Sequence, residues 1–62
     1  MDEYLLYHQW VADEIAQRIA SLPNPGDSDA QHRIFDSYGI DLDNMSNAAI
    51  TYMEELVNNY LT

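Results

Sequence analysis

The groups of this chain that could do proton or nucleophile chemistry are two histidines, His8 and His32, and a scatter of Ser, Thr and Tyr hydroxyls. A serine nucleophile needs a histidine within reach, an acid to orient that histidine, and donors for the oxyanion. No spacing in the chain assembles such a set. His8 falls on the apolar stripe of the first segment and reads as a histidine at the core edge. His32 precedes Asp36 by one helical turn and reads as its solvated partner. The chain is therefore expected not to be an enzyme.

Metal chemistry is tested next by Asp41-Leu42-Asp43-Asn44, which opens like a calcium loop. Such a loop has glycine at its sixth position and a bidentate glutamate at its twelfth; here those positions hold Ser46 and Tyr52. Acids just before a helix read more simply as caps and dipole partners. Asp27-Ser28-Asp29 resembles the modification signature of acyl carrier proteins in its first two residues only, and capping accounts for Ser28. With no cysteine, neither a disulfide framework nor a cysteine-ligated zinc is available. No cofactor and no metal are expected.

Charge is the loud signal. Eleven Asp and Glu stand against two Arg, giving −9 over 62 residues. Nucleic-acid binding needs Lys and Arg against phosphate, so this sign excludes it. The inverse is open: an acidic protein can occupy the basic groove in which another protein holds nucleic acid, and long-range attraction would speed its arrival. Acidity for solubility alone normally mixes both signs, and basic residues are nearly missing here.

The elements that must position these acids are helical by period. Tyr4, His8, Val11, Ile15, Ile19 and Leu22 recur at three and four residue steps, predicting a first helix over 2–22. Pro23-Asn24-Pro25-Gly26 ends it, since proline lacks a backbone donor and restricts its predecessor. Ser28 and Gln31 form a capping-box pattern that predicts a short helix over 28–38, with Ala30, Ile34, Phe35 and Tyr38 inward and Gly39 as its left-handed stop. Ile40 and Leu42 turn inward from the connector. A third helix over 45–61 places Ala49, Ile50, Met53, Leu56, Val57, Tyr60 and Leu61 on one stripe. The expected architecture is one all-α domain over 1–62: a small helical bundle of two long helices plus one short helix.

On that frame Asp27, Asp29, Asp36, Asp41 and Asp43 gather around the short helix, while Glu3, Asp13, Glu14, Glu54 and Glu55 extend the field. Carboxylates one helical turn apart stand roughly 5 to 6 Å from each other, comparable with the phosphate advance of about 3.4 Å per strand along DNA. Leu6 and Trp10 fall on the outer face of the first helix, where a large aromatic framed by acids has the composition of an interface anchor. Burial under the short helix, or in a homodimer, stands beside that reading.

In length, charge, helical pattern and lack of catalytic groups the chain resembles the small acidic proteins with which bacteriophages and mobile elements disable host defence. Anti-CRISPR and anti-restriction proteins belong to that class, and several mimic DNA. The resemblance implies a stoichiometric inhibitor of a basic host nuclease or nucleic-acid-binding complex, acting in the bacterial cytoplasm. A second reading is a regulatory or dimerisation module docking through Leu6 and Trp10, and a third an antitoxin-like neutraliser of a basic toxin. The lack of cysteine, of a long apolar run and of a basic start predicts an intact, soluble, cytoplasmic chain with no membrane partner.

Overall fold

Val11, Ala12, Ile15, Ala16 and Ile19 are the buried side of α1, which runs Val11–Ala20 in a computed structural model describing residues 6–8 and 10–62. Asp13 and Glu14 sit in its first turn and Arg18 in its last, the polarity that the helix dipole favours. After it come α2 (Ser28–Ser37), a 3-10 turn (Leu42–Asn44) and α3 (Asn47–Leu61). The described residues contain no strand, so the fold is all-α. No described helix is long and apolar enough to cross a membrane.

The first helix is shorter than its periodicity predicts. Of the span 2–22, residues 2–5 and 9 lie outside the described residues, and Leu6 and Tyr7 form a 3-10 turn rather than a continuation of α1. The reason lies in Leu6. At about 100° per residue, a continuous helix would set Leu6 opposite Ile15, facing away from the core. Instead both are fully buried, at 0 % exposure, and closing off a leucine from water contributes about 1.5–3 kcal/mol. The break before Val11 lets Leu6 turn inward. The proposed Leu6/Trp10 outer face is thus corrected: Leu6 belongs to the core, and Trp10 alone is outside, 60 % exposed. His8, expected at the core edge, is also exposed.

α2 begins one residue earlier in register than the capping-box pattern implies. Asp27, not Ser28, is the cap: its Oδ1 accepts from the backbone N–H of Asp29 at 3.1 Å and of Ala30 at 3.4 Å. Gln31, freed from the box, donates from Nε2 to the Pro25 carbonyl at 2.6 Å and ties the helix to the preceding loop. At the other end Gly39 takes φ +77°. The Ile40 N–H then reaches the Phe35 carbonyl at 3.0 Å and the Gly39 N–H that of Asp36 at 2.9 Å. This is a Schellman stop, sealed by the buried pair Phe35 and Ile40.

Ser46 caps α3 by accepting from the Ala49 N–H at 3.2 Å. With 15 residues α3 is the long helix, and α1 and α2 have 10 each. Two long helices and one short is therefore not the observed division. α1 packs most extensively on α3 and less on α2. The core runs from Leu6 through α1 to Phe35, Ile40, Met45, Ala49 and Met53. Tyr60 and Leu61, placed on the α3 stripe by periodicity, remain 45 % and 49 % exposed.

Candidate interaction surface

Five aspartates around α2 were expected to act together, and the structure gives them different employments. Asp27 caps α2. Asp41 caps the 3-10 turn, its Oδ1 accepting from the Asp43 N–H at 3.1 Å and its Oδ2 from Asn44 Nδ2 at 2.5 Å. Asp29 and Asp36 are exposed and make no side-chain hydrogen bond among the described residues. Seven residues apart, they fall on one stripe of α2. A capping carboxylate keeps its charge and spare lone pairs, so Asp27 and Asp41 still add to the local field.

Asp43 is the unexpected member. It accepts from His32 Nε2 at 2.8 Å, while His32 Nδ1 lies 2.7 Å from the Ser28 carbonyl oxygen. The expected partner of His32, Asp36, is replaced by a residue eleven positions away, because the Schellman stop swings the connector back along α2. The Asp43 hydrogen bond first, and then the Ser28 carbonyl, raise the His32 pKa above its ordinary 6.5. With Arg33 on the same helix, this acid cluster carries two cationic groups of its own. Among the described residues no three His, Asp or Glu side chains converge to hold a metal ion.

A second group of acids is organised by tyrosines, and here sequence reasoning missed the pattern. The Tyr60 hydroxyl donates to Asp13 Oδ1. Gln17 Nε2 completes the triangle, 2.9 Å from Asp13 Oδ2 and 3.2 Å from the Tyr60 oxygen. The Tyr38 hydroxyl donates to Glu14 Oε2 at 2.6 Å, and the Arg18 guanidinium sits 5.8 Å from the centre of the Tyr38 ring. Burial, then the bond to Glu14, push the Tyr38 hydroxyl pKa up against the lowering effect of Arg18. Glu14, expected to extend the acidic field, is half-buried in this arrangement. Glu3, expected to extend the same field, lies outside the described residues.

Along α3 the tyrosines follow a readable signal: Tyr52, Leu56 and Tyr60 recur every fourth residue and form one stripe. Tyr7 stacks on Tyr52 with ring centroids 5.7 Å apart and planes 26° from parallel. The Trp10 carbonyl accepts the Glu14 N–H at 3.0 Å, so Trp10 stands one turn before Glu14. The stacked Tyr7–Tyr52 pair and Tyr60, exposed by 54 %, 38 % and 45 %, form an aromatic seam along α3 with Asp13 held beside Tyr60, and Trp10 is separately 60 % exposed. Glu54 and Glu55 lie exposed on α3, without side-chain hydrogen bonds among the described residues.

In comparison with known proteins, no protein-family model, no curated protein and no solved structure matches the chain.

Proposed function

We propose that this chain is a non-catalytic acidic protein that binds the nucleic-acid-binding surface of a basic protein, such as a nuclease, and blocks it by occupation. The observation that carries the reading is how few of the described carboxylates are paired inside the fold. Among the described residues the ion pair is His32 with Asp43, and neither arginine is paired with a carboxylate. Asp29, Asp36, Glu54 and Glu55 therefore offer charge to an outside cation. The exposed aromatic seam supplies what charge alone lacks: apolar area, and ring faces that attract Lys and Arg. The resemblance in size and charge to phage anti-defence proteins points the same way.

The test is displacement. A basic nuclease carrying a labelled DNA duplex is titrated with the chain, and release of the duplex should weaken steeply as salt rises. Reversing Asp29 and Asp36 to lysine should abolish release while circular dichroism stays unchanged. Displacement that ignores salt and survives the reversal would refute the reading. A second reading, a dimer joined through the Trp10 face, draws on the 60 % exposure of that side chain. Sedimentation that finds a stable dimer with shielded Trp10 fluorescence would favour it.

A further inference from the structure

α2 and α3 each rest on α1 but scarcely touch one another. The space left between them is an open groove of about 480 Å³, within the range of about 300–1,000 Å³ typical of built binding sites. Ile19 of α1, Phe35 of α2 and the methionines Met45 and Met53 form its floor. Ile50, Val57 and Leu61 form the α3 wall. These three lie on a stripe turned about 120° from that of Tyr52 and Tyr60, so the groove and the aromatic seam occupy different faces of α3.

We propose that this groove receives the apolar face of an amphipathic helix rich in lysine and arginine, supplied by a partner protein. Three observations support that occupant. The groove follows α3 from Ile50 to Leu61, about three turns, and faces Gln31 and Phe35 of α2 across it, a length and shape that suit one more helix laid along α3. Methionine adapts its shape to varied side chains at such surfaces. Charge gives the sign: no cation lines the groove, Glu54 stands on its α3 side, and the chain as a whole carries −9. A second copy of the chain would bring its own charge of −9 against it. The inference rests on the cation-binding function proposed above and adds the element of the partner that is gripped.

The probe is a synthetic Leu/Lys peptide with leucine at helical spacing, compared with a scrambled peptide of identical composition. Methyl NMR should show saturable shifts at Met45, Met53 and Val57, with at least about tenfold tighter binding than the scramble, the scale of one well-placed anchor. Leu61→Glu separates the two forces, because Leu61 is 49 % exposed and tolerates the change. A groove-bound helix should lose about tenfold in affinity, whereas a helix held by charge alone would gain. Equal binding of both peptides, with shifts spread over the surface, would overturn the groove and leave the acidic surface standing. No binding of either peptide at low salt would remove both readings. The same methyl shifts appearing on self-association without peptide would assign the groove to a second copy and overturn the proposal.

Discussion

His32 and Asp43 form a clasp between α2 and the 3-10 turn, Nε2 to Oδ1 at 2.8 Å, whose geometry favours the protonated ring. The other ring nitrogen faces the Ser28 carbonyl at 2.7 Å. A carboxylate and a carbonyl both accept, so the imidazolium, with a donor on each nitrogen, is the form that satisfies both contacts at once.

The clasp predicts a pH dependence with a definite sign. Because the folded pKa of His32 is raised, chiefly by Asp43, its contribution is fully present below the unfolded value near 6.5 and fades as pH rises through the folded value. In NMR titration the His32 ring protons should show a midpoint above 6.5, and Asp43→Ala should bring it down. The Tm gap between the parent and Asp43→Ala should be widest in mild acid and close in alkali. A gap of the opposite slope would mean the ring is neutral in the fold.

Leu6 and Trp10 should respond oppositely to truncation. Leu6→Ala empties a fully buried site and should cost about 2–5 kcal/mol in denaturant unfolding. Trp10→Ala removes a larger but mostly exposed side chain and should stay within about 1 kcal/mol. Equal losses would show that Trp10 shields the core.

The cap of α2 can be assigned by two alanines. Asp27→Ala should cost about 0.5–2 kcal/mol, whereas Ser28→Ala should cost a few tenths at most. The reverse order would restore the capping box that the sequence suggests.

Gly39 holds φ +77°, and an added Cβ would meet nothing within 4 Å. Gly39→Ala therefore isolates backbone strain from clash. Its expected cost is about 1–2 kcal/mol, the penalty of a left-handed conformation for an L-residue. A neutral result would imply that the Schellman stop rearranges.

What was legible in the sequence was local. Ser46 before an apolar stripe and Gly39 after Tyr38 mark helix ends through bonds made within a few residues, so α2 and α3 emerge close to their predicted spans. The start of α1 was not legible, because helical period cannot show that burying Leu6 outweighs continuing the helix. His32 illustrates the same limit: spacing offers Asp36, but chain reversal at Gly39 delivers Asp43. Among the candidate acids, charge was evident from composition. Which carboxylates are spent on caps, on tyrosine hydroxyls or on a histidine depended on contacts between helices.

The central position of α1 has a kinetic consequence. Of the residues in α2, Phe35 alone is buried, while α1 contributes five buried residues. α2 should accordingly detach and re-dock as a unit at lower free energy than the α1 and α3 pair, since few apolar contacts hold it. In hydrogen–deuterium exchange the amides of Ile34 to Ser37 should trade protons faster than those of Ile15 to Ile19. Transient openings of this kind would be the route by which the interior first meets solvent, proteases or a visiting chain.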